Sequence, residues 1–410
     1  MILSRLFEKR ATVVSGAHPR DPVLADIFGG SNNTSSGVRV TSDSALAVNA
    51  VYAAIRILTD SVSSLPLNLH KHTKDGGNEH AINHNYYTKL KYQPNAFQTS
   101  VEWREMMLGH MLLRGNAYSE IMPNGDLIPL HPDRVIAFMP NRETVAYEYT
   151  PPNGTARIIL SSEMHHLKGF SLDGTSGLNP IETCKDSVGL SKAAEDFGAS
   201  FYGNGATAGG FITHPGQLSA DAQARLIKSF EARHRGAGNA HRPAVLEENM
   251  QWQSVGIAPN QAQFLETRRF QIAEIARIFR VPLHLMGDLE KATISNVEQQ
   301  SIDYLRYSLR PLLVRWEQAM RRDLFGVEGK RKFYVEFNVE GILRGDSGAR
   351  AEFYNKMFAI GTMSQNEIRA FENMPPIPDG DKYYVALNMG NTQGQPAPET
   401  DKDKGEDDAD

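Results

Sequence analysis

The chain has 410 residues, 40% of them hydrophobic and 22% charged, with a net charge of -5 and one cysteine, Cys184. That size can bury one sizeable core or several small ones, and the lone cysteine excludes an intrachain disulfide framework, which suits assembly in a reducing cytoplasm. The negative balance argues against a protein that grips nucleic acid along an extensive basic face, although DNA could still slide past such a wall.

No run of about 18 apolar residues occurs, so no membrane span is expected. The start, Met1 to Arg10, lacks an apolar core long enough for a secretory signal, and residues 1–44 read as a flexible N-terminal arm that includes the polar run Ser31 to Gly37. Val48, Val51, Ile55, Leu58, Val62 and Leu65 make an apolar stripe at three-four spacing, a helix that Pro66 ends. Thr99-Ser-Val-Glu102 is a capping box, and its helix runs through Trp103, Met106, Met107 and His110 to Gly115. Strands over Ala117–Met122 and Leu127–Leu130 flank the hairpin signal Pro123-Asn-Gly-Asp126, and Asn153-Gly154 marks another turn. The first third is therefore a mixed helix and sheet unit ending near Gly177.

Asn179-Pro180 opens a helix that reaches Tyr202 and stops at Gly203-Asn-Gly205. Ile181, Cys184 and Val188 lie on one side of it, with Leu190, Phe197 and Phe201 nearly opposite. Such a helix sits in the middle of a core or between subunits. Gly189, Ala193, Ala194, Gly198 and Ala199 permit close contact in either setting. Residues 206–256 read as a compact insertion: a strand at Gly209–Thr213, a helix capped by Ser219 carrying Arg225, Lys228 and Arg233, a loop after Arg235, then strands at Pro243–Leu246 and Met250–Val255. From Asn260 to Arg280 a helix places Leu265, Ile272, Ile275, Ala276 and Phe279 on one face and Glu266, Arg269, Glu274, Arg277 and Arg280 on the other. These arginines either touch phosphates or pair with nearby carboxylates.

A loop, Met286 to Asn296, joins this helix to a long one, Val297 to Phe325, with Ile302, Leu305, Leu309, Leu312, Trp316, Met320 and Leu324 in one stripe. Pro311 lacks a backbone donor and clashes one turn back, so a kink is expected there. Phe333–Val339 alternates as a strand. Asp346 begins a helix that ends at Gly361, and Ser364-Gln-Asn-Glu367 caps a short one that Pro375-Pro376 stops. The last ten residues hold six acids against two lysines and read as a disordered acidic tail.

Signatures of catalysis are missing. No Gly-x-x-x-x-Gly-Lys-Ser/Thr loop, Gly-x-Ser-x-Gly elbow or His-Glu-x-x-His helix occurs. His70-Lys-His72 and His165-His166 have no companion ligands at metal spacing and read as surface or strand histidines. Glu163 beside His165 is adjacency of a kind common by chance. No catalytic, cofactor or metal residue is assigned.

Arg114-Gly-Asn-Ala-Tyr118, Gly177-Leu-Asn-Pro-Ile181, Phe201-Tyr-Gly-Asn-Gly205, Phe279-Arg-Val-Pro-Leu283, Asn366-Glu-Ile-Arg369 and Glu372-Asn-Met-Pro-Pro376 with Gly380-Asp381 are each weak signals. Their order and spacing together resemble the portal proteins of tailed bacteriophages, from about Ala45 to Asn388. The resemblance implies an α+β portal fold: wing 45–177, stem helices 178–205 and 257–284, clip 206–256, tunnel loop 285–296, kinked helix and returning wing strand 297–345, crown 346–376, and a tail 377–410. It further implies a dodecameric ring in the virion, assembled in the host cytoplasm, with double-stranded DNA passing through. Its partners would be the terminase large subunit, a head-tail adaptor and the major capsid protein. On this reading Gly287, Asp288, Glu290, Lys291 and Thr293 are DNA-facing candidates in the tunnel loop, and Arg269, Arg277 and Arg280 are candidates in the stem. Phe197 and Phe201 are intersubunit candidates, and Arg225, Lys228, Arg233 and Arg235 are clip contacts for terminase or adaptor. The rival readings are a capsid-associated or scaffold protein without a channel and a capsid-maturation enzyme.

Overall fold

The computed structural model of the chain describes residues 34–74, 77–203, 210–217, 219–234, 250–254, 261–288, 294–339, 347–372 and 374–384. It divides into two units, Met1–Asn338 and Val339–Asp410. The first begins with α1 (Ser42–Ala45), α2 (Asn49–Ser63), β1 (Leu67–His72), β2 (Asn78–His80), α3 (Asn85–Lys91) and α4 (Ser100–Arg114). Helix α2 forms where the apolar stripe predicts it, buries Val51, Ala54, Ile55, Leu58 and Val62, and packs on α4. The capping box of α4 closes as expected: Thr99 Oγ1 accepts the Glu102 amide, and Glu102 Oε2 accepts the Thr99 amide at 2.7 Å. Gly115 ends the helix at a left-handed φ of 76°.

Six strands follow: β3 (Asn116–Ile121), β4 (Leu127–Leu130), β5 (Val135–Phe138), β6 (Ala146–Tyr149), β7 (Arg157–Leu160) and β8 (Met164–Lys168). They make two antiparallel sheets, ordered β4-β3-β8 and β5-β6-β7, with turns at both expected hairpin signals. Tyr118, Leu130, Val135, Tyr147, Ile159 and Met164 bury one shared core.

The helix expected from Asn179 to Tyr202 is interrupted. Asn179 caps a single turn, α5 (Pro180–Thr183), Cys184 leaves helical geometry at φ -109° and ψ 26°, and α6 (Lys185–Gly203) starts afresh. The Thr183 hydroxyl donates to Asn179 O at 2.7 Å, a local bond that competes with the helical ladder. The small module contains β9 (Gly210–Thr213), α7 (Ala220–His234) and β10 (Gln251–Ser254), the two strands pairing antiparallel. The strand expected at 243–246 lies outside the described residues.

Next comes α8 (Gln261–Phe279), a 3-10 turn at Leu283–Met286, α9 (Ile294–Asp303), a π-helical turn at Tyr304–Leu309, α10 (Arg310–Leu324), α11 (Gly329–Lys332) and β11 (Phe333–Phe337). The expected irregularity at Pro311 is absorbed one turn earlier, where the Arg310 amide reaches back to Leu305 O. A widened turn rotates everything after it, so the buried stripe departs from regular spacing. Ile302 is 44% exposed and Leu313, 2% exposed, takes the core place expected of Leu312, while Trp316 and Met320 are fully buried as expected. Helix α10 packs on β8 and β11, and β11 pairs antiparallel with β1, Leu67 opposite Phe337.

The second unit holds α12 (Ser347–Ala359) and α13 (Gln365–Phe371). Asp346 is outside the described residues, Gly361 turns left-handed at φ 71°, and the Ser364 capping box is complete. Asn366 bonds the Ile377 amide at 2.8 Å and Asp381 Oδ1 at 3.0 Å, fastening the helix to the segment after Pro375-Pro376.

Candidate channel and interface surfaces

Two motifs distant in sequence form one joint. Asn116 Nδ2 donates to Gly177 O at 2.8 Å, its Oδ1 accepts the Gly177 amide at 2.7 Å, and the Gly169 amide reaches Gly115 O at 2.7 Å. A methyl group on Gly115 would overlap the Leu178 carbonyl oxygen, and one on Gly177 would overlap the Gly115 carbonyl oxygen. Arg114, 9% exposed, bridges Asp43 at 2.6 Å and Asp133 at 2.8 Å. The joint thus fixes the start of α5 and α6 to the end of α4.

His165 and His166 are strand residues, as expected, but neither is on the surface: they are 0% and 1% exposed. Trp316 Nε1 donates to His165 Nε2 at 3.2 Å, so His165 carries its proton on Nδ1 and gives it to Asp323 Oδ2 at 3.0 Å. The partner of His165 is therefore Asp323, with Glu163 taking no part in the pair. His166 Nε2 donates to Asn116 Oδ1 at 3.0 Å, because that oxygen only accepts, and its Nδ1 accepts from Tyr147 Oη at 3.2 Å. Both rings are wired as neutral imidazoles, and together they bind α10 to β8 and the glycine joint. A pair of histidines between Met164 and Leu167 in one strand was the available signal for burial on both sheet faces.

This wiring sets a pH dependence. Burial first, then the charges of Lys168 and Arg322, holds His166 well below the ordinary histidine value of 6.5. Burial, with His131 and Arg114 nearby, brings His110 down to about 4. Below pH 6.5 the unfolded chain takes up protons that these folded-state rings refuse, so stability falls as pH drops from 6.5 towards 4 and beyond. Urea midpoints measured from pH 7.5 to pH 4.5 should decline most steeply below about pH 6.5, and His110→Gln should flatten the upper part of that decline. A midpoint that stays level across this range would contradict the assignment.

The stem candidates α6 and α8 pack together, and α8 also lies on α2. Ile181 and Val188 are buried at 1% each, whereas Leu190 and Phe197 on the other side of the expected helix are 47% and 49% exposed. The Phe201 side chain lies outside the described residues. Among the described side chains of α8 the buried ones are Gln271, Ile275, Ala276 and Phe279, and Leu265 is 59% exposed instead of buried. Arg277 pairs with Glu274 and stacks 5.9 Å from the Phe270 ring, while Arg269 is on the exposed surface. Arg280 is not on the helix face as expected: it stands just beyond α8 at a left-handed φ of 56°.

The Leu283–Met286 turn ends at Gly287, which adopts φ 88° and uses the freedom expected of it, and the Asp288 amide bonds Leu283 O at 3.1 Å. Glu290, Lys291 and Thr293 fall outside the described residues, and α9 begins at Ile294. In the small module Arg225 and Lys228 are exposed on α7; the Arg233 side chain and Arg235 are outside the described residues. Among the described residues no group of three or more His, Cys, Asp or Glu could hold a metal ion, and no helix is long and apolar enough to cross a membrane.

A model of the phage portal protein family matches residues 49–373. The chain belongs to this family. It is 34% identical to the probable portal protein of Streptomyces phage phiC31 over 380 residues, covering 88% of this chain and 83% of that one. It is 31% identical to the portal protein of Enterobacteria phage HK97, covering 87% of each. Among solved structures it resembles a chain from the neck of a native gene transfer agent particle computed with C12 symmetry, with a TM-score of 0.54 at 24% identity, covering 82% of this chain and 94% of that one. The family match spans the glycine joint, the buried histidine pair, the α6–α8 pair and the interrupted long helix, so all four are parts of an α+β portal fold.

Proposed function

We propose that twelve copies of this chain form a ring at one capsid vertex, through which double-stranded DNA enters during packaging and leaves during ejection. The observation that carries this reading is the family match over residues 49–373, and the helix, loop and interrupted long helix from α8 to α10 accord with it. In that reading residues 45–177 are the wing, α6 and α8 the stem, 206–256 the clip, 285–296 the tunnel loop and 346–376 the crown. Residues 1–44 are an arm and 377–410 a tail. Gly287, Asp288, Glu290, Lys291 and Thr293 guide DNA, Lys291 by transient phosphate contact. Arg225, Lys228, Arg233 and Arg235 meet the terminase large subunit and then the head-tail adaptor, while the major capsid protein surrounds the ring. The chain works as a structural conduit, and a separate ATPase supplies the force. Assembly takes place in the host cytoplasm and the ring stays in the virion.

Negative-stain imaging of the purified full chain is the test. Closed rings with a central hole and twelvefold symmetry are expected, without ATP turnover. Persistent monomers, or shell-like sheets without a hole, would refute the conduit.

A further inference from the structure

We infer that the N-terminal arm of this chain folds back onto its own α6–α8 pair and lays Leu3, Leu6 and Phe7 into the groove beside Leu190 and Phe270. These surfaces belong to a single copy, so the contact does not depend on the ring proposed above.

The groove lies between α6 and α8 and has a volume of about 350 Å³. Asp186, Leu190, Phe270 and Glu274 line it together with Ser35 and Ser36, so its lining carries two carboxylates and no cation. Leu190 is 47% and Phe270 56% exposed. Side by side in one concavity, two large apolar side chains mark a surface that something covers. Arg277 stands outside this lining. It pairs with Glu274 Oε1 and stacks 5.9 Å from the Phe270 ring, which leaves more than half of Phe270 open. On α6, Asp186 is exposed, and its Oδ1 accepts the Ser35 amide at 2.9 Å and the Ser35 hydroxyl at 3.2 Å.

The place where the described chain starts identifies the occupant. Thr34 is 7% exposed and packs so closely on Gly189 that a methyl group there would overlap the Thr34 side chain. Ser35 is fastened to Asp186, and with Ser36 it already forms part of the groove wall. Residues 1–33 therefore join the folded unit at the groove itself. The first ten carry Ile2, Leu3, Leu6 and Phe7 at three- and four-residue separations, the spacing of one helical face. Beside them stand the cations Arg5, Lys9 and Arg10 against one acid, Glu8. An apolar face flanked by cations matches an apolar groove flanked by carboxylates. Residues 11–33 reach back easily at up to about 3.3 Å each, and tethering within one chain favours its own groove over that of another copy. The arm then works as a strap that holds α6 to α8 and covers their exposed apolar strip.

The test is photo-cross-linking of the full chain with benzoylphenylalanine in place of Phe7, mapped by mass spectrometry. Cross-links should fall on the peptides that carry Leu190 or Phe270. In a mixture of isotope-labelled and ordinary protein they should stay within one copy. Leu190→Asp, checked for an unchanged circular dichroism spectrum, should cut their yield about tenfold. Arg5→Glu combined with Lys9→Glu alters only the arm and should cut it about threefold. Cross-links elsewhere, none at all, or yields that the variants leave unchanged would overturn the strap. Cross-links in the groove that join two different copies would show that a neighbour's arm fills it, which overturns the self-contact. Groove cross-links within single copies that never form rings would support the strap while the ring reading fails.

Discussion

Gly177→Ala should destabilise the first unit by at least about 3 kcal/mol and sharply lower the yield of soluble protein. The added methyl would meet the Gly115 carbonyl oxygen, which is backbone and already accepts the Gly169 amide at 2.7 Å, so it cannot swing aside like a side-chain tip. Gly115→Ala should be as damaging, because it combines overlap with the Leu178 carbonyl and a left-handed φ of 76°. Gly174→Ala is the control: its φ is 75°, but open space surrounds it, so only the conformational cost of about 1–2 kcal/mol applies. Urea unfolding with unchanged slope compares all three. A Gly177→Ala midpoint no lower than that of Gly174→Ala would show that the two motifs are not held at backbone contact. The functional consequence follows from position, since the joint sets where α5 and α6 leave the sheet and therefore how the expected stem is aimed.

What was legible in the sequence was whatever a few neighbouring residues decide. The boxes at Thr99 and Ser364, the Pro123–Asp126 hairpin and the α2 stripe depend on local bonds or on one periodicity, and each formed where the residues indicated. The less legible features depend on partners far along the chain. His165 and His166 are silent until α10 brings Asp323 and Trp316 to β8. The π-helical turn shifts the core from Leu312 to Leu313, which no fixed spacing anticipates. Leu265 follows the right stripe yet is 59% exposed, while among the described side chains of α8 the buried ones begin at Gln271. Of the candidate site, Phe197 is 49% exposed and Gly287 adopts a left-handed φ of 88°, a conformation that glycine takes freely. Arg280 departs from its expected helix face, because a helix stop is chosen by backbone geometry and ordinarily announces itself through glycine.

Asp323→Ala should cost about 3–5 kcal/mol, the range for removing one partner of a buried charged network. Asp323 is 6% exposed in its side chain, and its Oδ2 accepts from His165 Nδ1 and the His166 amide, both at 3.0 Å. Arg322 Nε donates to the other oxygen at 2.6 Å. Burial pushes this carboxyl up, but the hydrogen bonds from His165 and Arg322, with the positive charge of Arg322, outweigh it and hold it below its ordinary value of 3.8. Its contribution is therefore full above pH 3.8 and lost as pH falls through the lower folded-state value. Truncation at neutral pH would leave the His165 proton, the His166 amide and one face of the Arg322 guanidinium without an acceptor. His165 cannot escape by moving its proton, because Trp316 already donates to Nε2 at 3.2 Å. Asp323→Asn keeps one accepting oxygen and should cost roughly half as much, since its amide nitrogen must face a donor. Guanidinium unfolding at neutral pH, followed by tryptophan fluorescence from Trp103 and Trp316, whose rings lie 5.8 Å apart, reads both variants. A loss under about 1 kcal/mol for Asp323→Ala would mean that water replaces the carboxylate and that packing alone holds α10 on β8. A large loss would mark this buried network as the clamp between the long helix and the sheets.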